Sequence, residues 1–432
     1  MSSSSGEVPT PGPLQPVGDA GELSRFNPFD PAILAQPWEY NDRLVAEAPV
    51  HREPNTGLIL VSSYELVNQV LNDYETFSNR FMLMMGGGTK AKVPSAVAEV
   101  MKGGYPPVDT MLTADPPEQR RFRSLVNKGF SLRRVGALAP RIEALVGELI
   151  DGFAQEGRVE LRSQFAVPLP LTVIAEQLGV PREDLAKFKQ WSDGFVAQLG
   201  GMASTEEQVE AWKRIVEFQR YFEKVLKDRA ENPRADILSA VVNARVEGEA
   251  SLDTAECLSI LQQLLVAGNE TTASAICQGV HLLMENPDQL ARLRENPDGI
   301  PNAVEEILRL TTPTANMWRV CIRDTVLGGV EIAAGSAMLV RFSAANRDPA
   351  VFPDPHAFDA GRANAHDHLA FGAGVHFCLG AQLARMEMTK AFEALLERLP
   401  NLRAPDGSGP PVYPPNILLR GMAALPLEFD PA

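Results

Sequence analysis

FGAGVHFCLG, residues 371–380, sets one cysteine among three glycines. It runs directly into GAQLARMEMTKAFEALLERL (380–399), whose apolar spacing predicts a helix. A thiol at a helix start meets free backbone N–H groups and the positive end of the dipole. That environment lowers a thiol's pKa and favours the thiolate. The glycines let the backbone turn sharply and approach a flat object closely. Rival readings exist. A dinucleotide loop fails because Phe377 stands where a third glycine belongs and NAHDHLA before it is no buried strand. His366, His368, His376 and Cys378 are all zinc-ligand types, but no second cysteine accompanies them and their spacing fits no usual finger. A buried inert cysteine is the default for a lone thiol.

The rest of the chain narrows the choice. Its 432 residues are 45% hydrophobic and can bury a large core, and no linker divides them. SSSSGEVPTPGPLQPVGDAGEL is rich in Ser, Pro and Gly, lacks a basic residue before Arg25, and reads as a disordered tail over residues 1–25. No apolar run is long enough to span a bilayer. A net charge of −15 argues against nucleic-acid binding. Cys257, Cys277, Cys321 and Cys378 form no CxxC pair, and a reducing cytoplasm suits them.

Helical periodicity dominates, as in 137–155, 207–230 and 302–310. Strand signals are short: 57–63, 337–343 and a C-terminal pair within 417–429. The expected class is mostly α with small β-sheets. Residues 82–105, with MLMM and a triple glycine, read as a long irregular loop of the functional kind.

SLDTAECLSILQQLLVAGNETTASAICQGVHLLMENP (251–287) reads as one helix, capped by Asp253, closed by Asn286-Pro287 and apolar on nearly every side. Its middle, AGNETT, breaks local rules together. Gly268 weakens a helix by roughly 1 kcal/mol relative to alanine. Thr271 can bond back to the i−4 carbonyl. Glu270 is a costly carboxylate inside a buried helix unless it is paired or functional. Rules broken together mark a site, and a thiolate at a helix start is a suitable axial ligand for haem iron.

Phe371-x-x-Gly374-x-x-x-Cys378-x-Gly380 resembles the haem-binding loop of the cytochrome P450 superfamily. AGNETT (267–272) resembles that family's acid–alcohol segment, and Glu306-x-x-Arg309 its glutamate–arginine pair. DPPEQRRFRSLV (115–126), ANRDP (345–349) and LLRGMAALPL (418–427) extend the likeness, which covers nearly everything after residue 26. The resemblance implies the P450 fold as a single catalytic domain over 26–432, with haem b between the long helix and the helix after the cysteine loop. Cys378 would be the proximal iron ligand, and Phe371, Gly372 and Gly380 would shape the loop beneath the porphyrin. Glu270 and Thr271 match the family's proton-delivery pair. Arg319, His376 and Arg123 match propionate ligands. Gln119 stands where the family commonly has histidine, and its amide N–H can still donate. His368 either assists there or anchors the loop. Glu306, Arg309 and a downstream arginine, Arg362, would form a buried structural cluster.

By the same correspondence Gln263, Val266 and Ala267 should face substrate from the long helix. Ala315, Asn316, Leu418 and Leu419, the last two in a terminal hairpin, should complete an apolar wall, with 82–105 as a lid. The implied activity is insertion of one oxygen atom from O2 into a hydrophobic small molecule by a monomeric protein with no membrane anchor. Electrons would come from NAD(P)H through a separate ferredoxin and reductase. Arg120, Arg121, Lys128, Arg133 and Arg134 form a basic concentration that suits an acidic ferredoxin, or an ordinary solvated face. A peroxide-driven enzyme and a non-catalytic haem protein are the alternatives, and the Glu270-Thr271 pair argues against both.

Overall fold

The computed structural model describes residues 21–81, 93–199, 204–245 and 250–431. The long apolar segment forms a single helix, Thr254–Glu285, opened by a capping box between Asp253 and Glu256 and capped at its end by Asn286. Because it is apolar all round, it runs through the interior and packs on the helices Ile300–Thr311 and Ala381–Arg398. Gly279 permits this approach. A Cβ there would lie 2.6 Å from the Phe392 ring and 2.8 Å from Ile307, so any side chain would push three helices apart.

Helices were expected at 137–155, 207–230 and 302–310, and they occupy Ala139–Asp151, Thr205–Glu231 and Ile300–Thr311. The strands are small: β1 (Val50–Arg52), β2 (Ile59–Val61), β3 (Phe77–Ser78), β4 (Arg158–Glu160), β5 (Met317–Cys321), β6 (Thr325–Leu327), β7 (Val330–Ile332), β8 (Ala337–Val340) and β9 (Pro426–Glu428). The main sheet has the order β1-β2-β8-β5-β3, with β2 and β8 parallel. Its short strands flank a helical body, which gives the mostly α architecture with small sheets.

Four expectations need correction. The strand foreseen over 337–343 stops at Val340, and Phe342–Ala345 is a helical turn. The C-terminal pair does not pair with itself: β9 pairs with β4, and Leu419 makes an isolated bridge to Thr314. Gly421 between them is pressed against the long helix, where a Cβ would fall 2.2 Å from Ser274 Oγ, so this stretch packs instead of turning back. The tail foreseen over 1–25 ends earlier than residue 25. Gly21–Arg25 is a 3-10 turn, and Leu23 is buried in the same cluster as Phe26 and Tyr40. Residues 82–92 of the expected lid lie outside the described residues. Its remainder is not irregular, since Ser95–Met101 is helical and the Gln219 amide brackets Tyr105, accepting from its N–H at 2.9 Å and donating to its carbonyl at 3.1 Å.

Candidate active site

The cysteine loop is fixed from behind. Gly372 and Gly374 take φ of 68° and 65°, the left-handed region that favours glycine. A Cβ on Gly374 would stand 2.5 Å from the Leu71 carbonyl. The Cys378 N–H donates to the Phe371 carbonyl at 2.9 Å, which folds the loop back on itself. Gln119, 1% exposed, donates through Nε2 to the Val375 carbonyl at 2.7 Å. Its amide thus helps to hold the loop through one of its two N–H groups. His368 also serves the loop, accepting from the Ala370 N–H at 3.1 Å, with Nε2 3.3 Å from Glu305. Glu305 is gripped bidentately by Arg385 at 2.7 and 2.8 Å. The Arg385 guanidinium lies over the Phe371 ring. Burial would raise the Glu305 carboxyl, but the bonds from Arg385 and His368 outweigh it and hold it at about 2.

The thiol itself corrects one expectation. Burial pushes the Cys378 thiol up, and the Gly380 and Ala381 N–H groups with Arg123 and Arg385 pull it down by less. The helix start alone does not make the thiolate; a coordinated cation would. Cys257 and Cys277 are pushed up to about 12 by burial, as inert core thiols are. Among the described residues no group of three or more His, Cys, Asp or Glu is placed to hold a metal ion.

The middle of the long helix is less buried than the stretch that follows it. Ala267 is exposed and Val266, Gly268, Glu270 and Thr271 are half-buried, Asn269 is buried between them, and 272–280 is buried throughout. An added Cβ at Gly268, Gly372 or Gly380 would meet nothing within 4 Å. Thr271 Oγ1 donates to the Ala267 carbonyl at 2.8 Å, the back-bond foreseen for it. Glu270 pairs with Arg162 Nη2 at 2.7 Å. Arg162, on the π-turn Arg162–Ala166, carries no sequence signal, because its spacing from the long helix is set only by the fold. Val266 and Leu379 both pack on one core cluster. Gln263 is half-buried with Oε1 unpartnered.

Arg319, Arg123 and His376 lie near one another beside the loop. Arg319 is 3% exposed; its Nη1 donates to the Trp318 carbonyl, and burial pushes it down to about 10. Arg123 is half-buried and bonded through Nε to Asn127 Oδ1. His376 Nε2 is buried without a partner, and burial, with Arg319 and Arg123 adding, holds the imidazole neutral, down to about 3. Asn79, which sequence reasoning missed, sits with Nδ2 3.4 Å from His376 Nδ1. Two arginines and an imidazole gathered beside a thiol on a glycine-bordered loop fit a flat metal macrocycle with two carboxylates.

A family model described as Cytochrome P450 matches residues 197–425. The chain is 37% identical to "Cytochrome P450 monooxygenase PikC" of Streptomyces venezuelae, over 96% of this chain and 94% of that protein. It is 39% identical to "Mycinamicin IV hydroxylase/epoxidase" of Micromonospora griseorubida, over 86% and 89%. The solved structure of Cytochrome P450 CYP109Q5 from Chondromyces apiculatus matches with a TM-score of 0.82 at 36% identity, covering 94% of this chain and 98% of that one. The chain belongs to the cytochrome P450 family. It is a P450 monooxygenase, an oxidoreductase of a haem-thiolate family that uses O2 and small-molecule substrates, and its fold is the P450 fold.

Two further groups of residues take their place in this P450. Glu306, fully buried, holds Arg309 at 2.7 and 2.8 Å and Arg362 at 2.9 Å, while both arginines also bond loop carbonyls. Ala315 and Asn316 donate their backbone N–H groups to the Leu418 carbonyl at 2.8 and 3.3 Å, so these expected wall residues come together. Leu418 is buried in a core cluster and Leu419 only packs against it. Of the basic concentration, Arg120, Lys128, Arg133 and Arg134 are exposed, beside a 74% exposed Leu132. Arg121 turns inward to Glu256 at 2.6 Å. No helix among the described residues is long and apolar enough to cross a membrane.

Proposed function

We propose that this P450 hydroxylates or epoxidises a hydrophobic small molecule, with haem b as its prosthetic group and a ferredoxin and reductase passing it electrons from NAD(P)H. The observation that carries the reading is the glycine-bordered Cys378 loop together with the accessible Ala267, Gly268, Glu270 and Thr271 on the long helix. Haem, when bound, supplies the activation of dioxygen and the oxygen-atom transfer.

The chain's residues do the rest. Cys378 would hold the iron, Gly372 and Gly380 would let the backbone approach the porphyrin closely, and Phe371 braces the loop. Arg319, Arg123 and His376 receive the propionates, where charge-assisted bonds replace water that the buried cations have lost. Gln119 and His368 act one step back, by fixing the loop. Thr271 offers its hydroxyl to the reacting centre once its bond to Ala267 is released or shared, and Glu270 carries protons inward. In the resting arrangement Glu270 is held by Arg162, so the proton path opens when that pair swings apart. Gln263, Val266, Ala267, Ala315, Asn316 and Leu419 bound the substrate space. It is apolar with few polar anchors, and exclusion of water there protects the reaction.

One catalytic domain runs from the Leu23 turn to the end of the chain, and it works as a monomer in the cytoplasm. Exposed Arg120, Lys128, Arg133 and Arg134, with exposed Leu132 between them in sequence, suit docking of an acidic ferredoxin, because charge steers the encounter. The test is reconstitution with NADH, a ferredoxin and its reductase against a panel of terpenoids, steroids, fatty acids and macrolides. Oxygenated product that requires all three components supports the proposal. Product formed equally well from hydrogen peroxide alone, or none despite substrate-induced spectral shifts, contradicts it.

A further inference from the structure

A second, smaller cavity lies where the N-terminal segment around Pro37, the end of β8 and the C-terminal segment Asn416–Arg420 meet. Its wall includes Ala315, Asn316, Arg341, Ser343 and Arg420. Its volume of about 10 Å³ is roughly the room one water-sized occupant needs.

Two of these wall residues carry charge that no carboxylate cancels. Arg341 is 3% exposed and Arg420 7%, and among the described residues neither makes an ion pair. The acidic groups that act on them are the phenols of Tyr40 and Tyr413, which are neutral at pH 7. Their other partners are neutral as well. Arg341 Nη2 donates to Asn41 Oδ1 at 2.5 Å, and its guanidinium lies over the Tyr40 ring. Arg420 Nη1 donates to Gln278 Oε1 at 2.5 Å and Nη2 to the Ala35 carbonyl at 3.4 Å, with the Tyr413 and Trp38 rings at 3.7 and 4.7 Å. In both residues the Nε–H is buried and has no acceptor. Buried Arg347 adds a further repelling charge beside Arg420.

Ring faces offset only part of what a guanidinium loses when it leaves water. An unpaired donor on a buried cation is the costliest kind to leave unsatisfied. From the shared cavity, the two uncancelled cations and their two idle N–H groups we infer that this cavity binds a single halide-sized monoanion, chloride under ordinary conditions. Arg341 and Arg420 hold it through charge-assisted bonds. A water molecule would leave the charges uncancelled. The unpartnered Asn316 Oδ1 is an acceptor, so the anion's contacts are those of the arginines. Ala315 and Asn316 bond through their backbone to Leu418, and the anion therefore ties the N-terminal segment to the wall formed by those residues. This site stands whether or not the assignments made to the haem pocket hold.

The experiment is thermal unfolding of the holoenzyme at fixed ionic strength, with gluconate replaced stepwise by chloride, together with bromide-soaked crystals of the same protein. The midpoint should rise saturably by roughly 2 °C or more. Arg341→Gln should remove the rise, and Arg420→Gln serves if that variant does not fold. The bromide anomalous map, which needs no variant, should show one peak in the cavity within contact of Arg341 Nε and Arg420 Nε. Equal midpoints in the two salts, a chloride effect that persists in the variant, or a cavity holding only water in the bromide crystal each overturns the inference.

Discussion

Glu306→Ala removes one carboxylate and strands two cations. Glu306 and Arg309 are both 0% exposed and Arg362 is 8% exposed. The variant loses the bonds from Arg309 Nε and Nη2 at 2.7 and 2.8 Å, from Arg362 Nε at 2.9 Å and from the Asp359 N–H at 3.2 Å. The loop carbonyls of Asn346, Pro355 and Pro353 still accept from the arginines, so the loss is of charge balance and not of every contact. Breaking a buried pair from one side costs about 3–5 kcal/mol. With an m-value of about 4 kcal/mol/M for a chain of this length, that lowers the urea midpoint by roughly 1 M. The control is Glu210→Ala, which removes an ion pair with Lys213 whose side chains are more than half exposed and should cost under about 1 kcal/mol. Unfolding followed by tryptophan fluorescence and by the haem Soret band reads protein and cofactor separately, which matters where two-state behaviour is not assured. A Glu306→Ala midpoint no lower than that of the Glu210→Ala control would refute the reasoning.

Other outcomes follow from the same geometry. Thr271→Ala should keep haem and substrate binding but divert NADH equivalents to peroxide, so the check is product formed per NADH, and an unchanged ratio contradicts the role given to its hydroxyl. Glu305 is depressed to about 2, so its contribution is complete above the unfolded carboxyl range near 4.5 and is lost as pH falls toward 2. The amount is about 3 kcal/mol, and Glu305→Gln should flatten the fall in stability between pH 5 and 3. Arg120→Glu with Arg133→Glu should slow reduction by ferredoxin and weaken its salt dependence, as read by stopped-flow. Gly374→Ala should abolish haem uptake, since its Cβ would collide with the Leu71 carbonyl.

The parts of this P450 that were legible in sequence are those encoded locally. The 254–285 helix announces itself through its Asp253 cap, its unbroken apolar periodicity and Asn286-Pro287 at its end. The Cys378 loop is legible because left-handed φ values require glycine within a few residues of the cysteine. The Glu306–Arg309 pair is a helical i,i+3 contact, and Arg362 joined it through family resemblance. What escaped depends on distance along the chain. Arg162 reaches Glu270 only because a π-turn and the long helix are brought together, and β9 finds β4 for the same kind of reason. The bond from Gln119 to the Val375 carbonyl was likewise not legible, because 256 residues separate the two. The direction of the Cys378 shift was misjudged because a sequence shows a helix start but not how far the surrounding residues take the thiol out of water.

The proposal that Cys378 holds the iron supports everything else, and the ferrous–carbonyl absorption spectrum of the purified holoprotein tests it directly. We expect the red-shifted Soret band of thiolate ligation in the wild type and its loss in Cys378→His. A wild-type band at the position given by imidazole ligation, or a thiolate band that survives the substitution, would contradict the account.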